Sequence, residues 1–279
     1  MPHLHYGASG SLGPVLLTLA LVFIAVAYLR GWISLRSNSS GQISTWRACS
    51  FFVGLFAVWF AVSSPLSGLD HELLTVHMLK HLMLMTVAPP LIWLGEPVRC
   101  IARALPPATL PRSLSGLREI GSGLAKPQVG WLAAAAALVV WHIPPVFALA
   151  MQSTAWHFVE QSSFLLAGLL FWWPVVQPWP SVSRPDLSMI LYLFFATLPC
   201  DILSGFLVFC DRVVYPHYLS SSHLLGFSAL ADQQCAAAFM WTSVTLIYLV
   251  AGTILAMQLL SPEKSPEPKL IPISIVDSY

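Results

Sequence analysis

Long apolar stretches constrain the fold of this 279-residue chain more than any single motif. An α-helix rises about 1.5 Å per residue, so roughly 20 mostly apolar residues cross the hydrocarbon core of a bilayer. The sequence contains seven such stretches, and its 57% hydrophobic and 9% charged residues exclude an ordinary soluble domain. We therefore predict an all-α integral membrane protein, with one bundle of seven transmembrane helices within residues 1–260. The helices are expected near residues 12–33, 47–64, 73–95, 128–150, 157–177, 187–210 and 233–260.

Basic residues lie almost entirely on one side of this arrangement. Arg36 and Arg47 flank the first connection and five more basic residues fall within 96–127, whereas the connections on the opposite side hold only Arg212. Because cytoplasmic loops retain Lys and Arg, this asymmetry predicts an N-terminus outside and a C-terminus in the cytoplasm. The proline-rich, charged residues 261–279 are predicted to form a disordered cytoplasmic tail.

Two function classes receive no support from composition. The net charge is only +1, without a basic stripe interleaved with aromatic residues, so nothing indicates binding to nucleic acid. The five cysteines lack C-x-x-C spacing, so they indicate neither a disulfide framework nor a zinc ribbon.

Prolines interrupt three of the apolar stretches. Pro89 and Pro90 stand near the end of the third stretch, Pro144 and Pro145 in the fourth and Pro199 in the sixth. A proline leaves a backbone carbonyl without its helical donor, and lipid cannot replace that donor. These positions are therefore predicted to be kinks or breaks that face the interior of the bundle.

The nine histidines all fall outside the predicted bundle or in its outer half. Counted from the outer ends of the segments, His77 lies about 6 Å deep, and His81 and His142 about 12 Å deep. Asp201 lies roughly 14 Å deep by the same count. Ionisable side chains inside a membrane are costly and usually face a functional interior, so these residues indicate a site.

His77 and His81 are the strongest candidates for metal ligands. Residues four apart lie about 40° apart around a helix and one turn apart along it, so both imidazoles can reach one ion. Met85 continues the same face. The nearby "HELLTVH" is not the zinc-protease motif, because His71 and His77 are six apart and lie on different helix faces.

Further acids and histidines accompany the pair. His157 and Glu160 are three apart on the fifth stretch, so they share a helix face. Asp232 at the start of the last stretch is either an N-cap or a ligand or partner group. Asp201 needs a partner, for which Lys80 or His142 is a candidate, although Lys80 is expected to extend outward to the interface instead.

The ligand types indicate which metals suit the site. Imidazoles beside thioethers suit Cu(I), and imidazoles beside carboxylates suit Cu(II), Zn or Fe. The candidate thioether ligands are Met78, Met85, Met151 and Met240. Sulfur in such helices more often serves packing than ligation.

Five motifs occur in order along residues 71–260: "HMLKHLMLMTVAPPLIWLGEP", "WHIPPVF", "HFVEQSSFLLAGLLFWWPVV", "VVYPHY" and "DQQCAAAFMW". In this order they resemble the successive motifs of the bacterial CtaG family of cytochrome c oxidase assembly factors. The resemblance implies a seven-helix, non-enzymatic protein of the bacterial inner membrane that serves haem-copper oxidase maturation and handles copper. The implied partners are haem-copper oxidase subunits or another copper carrier, besides membrane lipid.

The family motifs single out residues already selected from the sequence. Carried over, they are His77, Met78, His81, His142, His157, Glu160 and Asp232. Gln161 departs from the family, which usually has a histidine there. We expect transient copper binding at the outer face, with His77 and His81 as primary ligands and His142 or His157 as the third. The expected accessory groups are Met78, Met85, Glu160, Asp201 and Asp232.

Two other classes stay open. Histidines from separate helices could be axial ligands of haem in a membrane redox protein. A metal or proton transporter could use His81, His142, Asp201 and Lys80, but it needs a polar path that continues inward. The inner halves of the predicted helices contain almost no ionisable residue, which disfavours transport.

Overall fold

Helices account for every regular element in the part of the chain that the structure describes. This computed structural model describes residues 12–37, 43–104, 126–177, 186–220, 226 and 228–261. Five helices are long and apolar enough to cross a membrane, or up to seven if each of two bent pairs is one span. The prediction of an all-helical, multi-pass membrane protein is confirmed at this level, and the orientation of the termini stays a prediction. Residues 262–279 of the predicted tail lie outside the described residues.

The helices follow the predicted stretches with small shifts at their ends. They are α1 Leu12–Ser37, α2 Thr45–Ser63, α3 Leu74–Leu82, α4 Ala88–Leu94, α5 Pro97–Ala104, α6 Pro127–Trp141, α7 Pro144–Gln152, α8 Thr154–Val176, α9 Leu187–Phe209 and α10 Ala229–Leu260. A π-helical turn, Met83–Val87, joins α3 to α4, and 3₁₀ helices span Pro65–His71 and Pro216–Leu219. Large apolar side chains cover the outside of the bundle: Phe23 is 74% exposed and Phe209 is 77% exposed. Such side chains suit a lipid environment.

The prolines act in three different ways. Pro144 begins α7 after α6 has ended at Trp141, and the pair bends by 79°, so a break occurs as predicted. Pro89 lies at the start of α4, where its missing N–H is tolerated, and the helix continues to Leu94 before a 58° bend leads to α5. Pro199 lies inside α9, which runs on as a helix to Phe209, so no break occurs there and a kink stays a prediction.

The π-helical turn fixes α3 and α4 against α8. A Cβ atom at Gly168 of α8 would lie 2.6 Å from the Met85 carbonyl oxygen, so only glycine permits this approach. Trp172, one turn further along α8, donates from Nε1 to the same oxygen at 3.2 Å. A π-turn leaves carbonyls without regular helical partners, and here a neighbouring helix supplies the donor. The contact holds the histidine-bearing parts of α3 and α8 face to face.

Asp232 of α10 holds the beginning of α3. Its carboxylate accepts from the Leu74 amide at 2.6 Å, and from the Thr75 amide at 3.3 Å and hydroxyl at 2.6 Å. An anionic acceptor at a helix N-terminus satisfies free amides and complements the helix dipole. Asp232 is thus a cap, but of a neighbouring helix. Its own helix is capped by Ser228, which accepts from the Ala231 amide.

Candidate metal centre

Five side chains with metal-binding atoms meet at one end of the bundle. The structure brings His77, His81 and Glu160 together in a group that we call the deep triad. Asp70, His77 and His157 form a second group, the rim triad, which shares His77 with the first. Within each triad one ligand atom per residue lies within 4.8 Å of the others. All five residues are buried, with at most 9% of the residue exposed.

The spacing of the deep triad suits one small cation. Glu160 Oε1 lies 3.4 Å from His77 Nε2 and 3.5 Å from His81 Nε2. Ligand atoms bound at about 2.1 Å to a tetrahedral ion lie about 3.4 Å apart. The two helices therefore place Glu160 Oε1 at the separation from each imidazole that a shared ion requires.

Five of the six side-chain nitrogen and oxygen atoms of the deep triad make no hydrogen bond among the described residues. Both ring nitrogens of His77, Nδ1 of His81 and both carboxylate oxygens of Glu160 are buried and unpartnered. Burying such groups without partners is costly, and nearly all buried polar atoms in proteins are satisfied. A cation bound between them would satisfy several at once, so the residues present fit a metal ion.

Aromatic rings fix the two imidazoles of the deep triad. Phe164 of α8 stacks on His81 with ring centroids 4.0 Å apart, and Phe147 of α7 contacts the His77 ring at 5.0 Å. These apolar walls exclude water and strengthen electrostatic interactions within the site. They also restrict ring rotation, because the imidazoles cannot turn without displacing a packed phenyl ring.

The rim triad contains an ion pair that the sequence predictions omit. The Lys80 ammonium contacts Asp70 Oδ2, and both residues are buried. The prediction that Lys80 extends outward is therefore wrong. His157 Nε2 lies 3.1 Å from the same oxygen. Burial alone would raise the pKa of Asp70, but His157 and the charge of Lys80 hold it well below its usual range, so this carboxyl is ionised.

Asp70 is the main candidate site residue absent from the predicted set. In the sequence Asp70 lies in a loop between two spans, where an exposed residue is expected. In the structure the 3₁₀ helix Pro65–His71 folds back against α3 and buries it. The available signal is Lys80, since a lysine inside a predicted span requires a carboxylate or an escape to the interface. Tyr218 secures this turn by donating to the Asp70 carbonyl at 2.7 Å.

His142 lies beside the deep triad and belongs to neither group. Its Nδ1 donates to the Leu138 carbonyl at 2.6 Å, and its Nε2 lies 3.3 Å from Met78 Sδ. With the proton on Nδ1, Nε2 and the thioether direct two lone pairs at the same space. A nitrogen and a thioether together suit a soft cation. The ring centroid of His142 is 6.2 Å from that of His81.

Other predicted site residues lie apart from both triads. Met85 lines the cavity next to His81, while its carbonyl is bound to α8. Asp201 on α9 has one buried carboxylate oxygen without a hydrogen-bond partner among the described residues and joins neither group. Gln161 is buried directly after Glu160 and likewise joins neither group.

His71 and His217 lie next to the rim triad. His71 is 45% exposed, and its Nε2 lies 3.9 Å from Asp70 Oδ1. Burial lowers the pKa of His71, although Asp70 acts in the opposite direction. His217, on the loop after α9, contacts the His71 carbonyl through Nε2 at 3.2 Å.

Fold and site together define a class: a multi-pass helical membrane protein with a buried imidazole and carboxylate cluster at one end of its bundle. The sequence matches the family model of the cytochrome c oxidase caa3 assembly factor over residues 26–261, and the chain belongs to that family. The resemblance noted from the motifs is thereby confirmed.

Curated relatives extend the comparison without adding a function. An uncharacterized protein of Mycobacterium leprae is 23% identical over 251 residues, which cover 85% of this chain and 37% of the relative. Uncharacterized proteins of Mycobacterium bovis and Mycobacterium tuberculosis are each 24% identical over 248 residues, with the same shares. The chain thus spans little more than a third of the length of these relatives. No solved structure matches it significantly.

Proposed function

We propose that this member of the oxidase assembly family binds copper at the deep triad and delivers it, at the periplasmic face, for haem-copper oxidase maturation. The family supplies the link to cytochrome c oxidase assembly. The observation that carries the copper proposal is the set of buried, unpartnered donor atoms on His77, His81 and Glu160.

The donor set favours copper as the cargo. Two imidazoles and a carboxylate suit Cu(II), and the nearby pair of His142 and Met78 offers the nitrogen and sulfur ligands that suit Cu(I). Three ligands leave coordination positions open, so a further ligand can bind the ion before it leaves the triad. An incomplete set of this kind suits delivery better than permanent storage.

Haem binding and transport receive less support from the geometry. The ring centroids of His77 and His81 are 4.3 Å apart, whereas two imidazoles bound to opposite faces of a haem iron have centroids roughly 6 Å or more apart, so no porphyrin fits between this pair. The cavity beyond His81 is lined mainly by apolar side chains, among them Leu82, Phe171 and Val244. No continuous polar path inward is therefore present among the residues lining it.

Copper content of the purified protein tests the proposal. The wild type and the double variant His77→Ala/His81→Ala are loaded with copper, desalted and measured by atomic spectroscopy. We expect the double variant to lose its copper, while Gln161→Ala, a buried neighbour outside both triads, retains it. Equal copper in the wild type and the double variant would refute the site.

Deletion in cells tests the biological role. Cells lacking the protein are expected to lose assembled oxidase activity and to recover part of it with added copper. Complementation with wild type should restore activity, and complementation with His77→Ala/His81→Ala should not. Unchanged oxidase activity in the deletion strain would refute the assembly role.

A further inference from the structure

Six imidazoles form a continuous line from an exposed loop to the interior of the bundle. Their order is His217, His71, His157, His77, His81 and His142. The successive ring centroids are 6.0, 5.3, 6.0, 4.3 and 6.2 Å apart. The deep triad uses only two of these rings, so the remaining four need a separate explanation.

The separations match the reach of two imidazoles that share one ion. With a metal–nitrogen bond of about 2.1 Å and a ring radius of about 1.2 Å, two ring centroids lie at most roughly 6.5 Å apart across an ion. Every step in the line is shorter than this limit. An ion can therefore bind the next ring before it leaves the previous one.

The carboxylate of Asp70 links the exposed and buried parts of the line. Its Oδ1 lies 3.9 Å from His71 Nε2, and its Oδ2 lies 3.1 Å from His157 Nε2. The rim triad then shares His77 with the deep triad. Successive groups of ligands thus overlap in at least one residue, which keeps an ion coordinated throughout its passage.

Side-chain exposure falls from His71 through His157 to His77. The side chain of His71 is 45% exposed, that of His157 is 11% exposed and that of His77 is 1% exposed. A bulky acceptor or chelator can reach His71 but cannot reach the deep triad directly. Release from the deep triad therefore requires a path, and the line of imidazoles is the one that the described residues supply.

We propose that copper enters and leaves the deep triad along this line, with His71 as the surface station and the rim triad as an intermediate station. This relay rests on the proposed copper function and adds its route. Each step is a ligand exchange: a bond from the ion to the next imidazole forms, a bond to the previous one breaks, and the ion keeps its charge and oxidation state.

Lys80 shortens the time that an ion stays bound at the rim triad. Its ammonium already pairs with Asp70, so an ion at the rim triad has to share that carboxylate with a fixed positive charge. The ion pairs of Glu160 among the described residues involve only His77 and His81. The Lys80 ammonium repels a cation at the rim triad, whereas no ammonium pairs with Glu160 among the described residues. The ion therefore passes through the rim triad and is held at the deep triad.

The rate of copper release tests the relay. Full-length protein in detergent is loaded with Cu(I) without oxygen, and excess bathocuproine disulfonate, a bulky Cu(I) chelator, is added in a stopped-flow instrument. Rates are compared per ion bound for wild type, His71→Ala, His71→Gln and His71→Met. Leu219→Ala, an exposed side chain of the neighbouring loop, is the matched control.

Loss of the surface station should slow release in a way that depends on ligand chemistry. We expect His71→Ala and His71→Gln to release copper at least about tenfold more slowly, equivalent to about 1.4 kcal/mol in the barrier. His71→Met should restore most of the rate, because a thioether binds Cu(I) whereas an amide of similar size does not. A packing role would not produce this rescue.

The outcomes separate the relay from the proposed function. Wild-type protein that holds no copper would overturn both. Wild-type protein that holds copper, with release rates the same in all His71 variants, would overturn the relay and leave the deep triad standing. Slow release in His71→Met as well as His71→Ala would also overturn it, since that result indicates packing rather than ligation.

Discussion

Replacement of Glu160 by glutamine separates metal binding from stability at the deep triad. The substitution keeps the size of the side chain and removes its negative charge. A cation and a carboxylate about 4 Å apart interact by roughly 4 kcal/mol at the effective dielectric of a protein, and more closely bound ions interact more strongly. The remaining amide oxygen retains part of this interaction. We therefore expect Glu160→Gln to weaken copper binding by two to three orders of magnitude, or about 3–4 kcal/mol.

The same substitution should not destabilise the metal-free protein. Glu160 is fully buried, and both carboxylate oxygens lack hydrogen-bond partners among the described residues. Burying a charged group that accepts no hydrogen bond is costly, so a neutral group of similar volume should be tolerated there without loss of stability. Copper binding should thus weaken while stability is retained.

Two measurements check this pair of expectations. Competition with a Cu(I) chelator of known affinity gives the change in copper affinity, and thermal unfolding of metal-free protein in detergent gives the change in stability. Gln161→Ala is the neighbouring control for affinity. Wild-type affinity in Glu160→Gln would refute the role of the carboxylate as a ligand. Destabilised metal-free Glu160→Gln would show that Glu160 has a structural partner that this reasoning omits.

Three further substitutions test the surroundings of the site. Lys80→Met removes the cation that competes for Asp70, so the rim triad should retain copper and raise the copper content above wild type; an unchanged content would contradict the competition. Asp232→Ala removes the cap of α3 and should lower stability by about 1–2 kcal/mol in thermal unfolding; wild-type stability would show that the cap is dispensable. Gly168→Ala should destabilise by about 1–3 kcal/mol through overpacking against the π-turn, whereas Gly252→Ala, where a Cβ meets nothing within 4 Å, should not. Equal melting temperatures for the two glycine variants would contradict the close approach.

Much of the fold follows from local sequence information. The apolar stretches predict the helices because lipid permits few alternatives to a fully hydrogen-bonded helix. Pro144 predicts the break between α6 and α7, because a helix begins readily at a proline but does not easily continue through one. Pro199 shows the limit of this reasoning, since α9 continues past it to Phe209. Whether a proline breaks a helix depends on its neighbours, and a single sequence does not contain that information.

The pairing of helices explains which site residues the sequence could locate. His77 and His81 follow from helical spacing alone, and so does the shared face of His157 and Glu160. That Glu160 meets His77 and His81 depends on α8 packing against α4 and against the π-helical turn after α3, where the close contact at Gly168 lies. Long-range contacts of this kind leave no periodic signal in the sequence.

The buried polar atoms of the deep triad that lack hydrogen bonds are costly to the fold, and this cost indicates what the triad is for. Five buried atoms of His77, His81 and Glu160 lack hydrogen-bond partners among the described residues. At Asp232 a carboxylate in a similar position receives three donors and holds a helix in place. A carboxylate retained for packing alone would be expected to find partners in the same way. The contrast between Asp232 and Glu160 therefore supports the proposed role of Glu160 as a ligand of the ion.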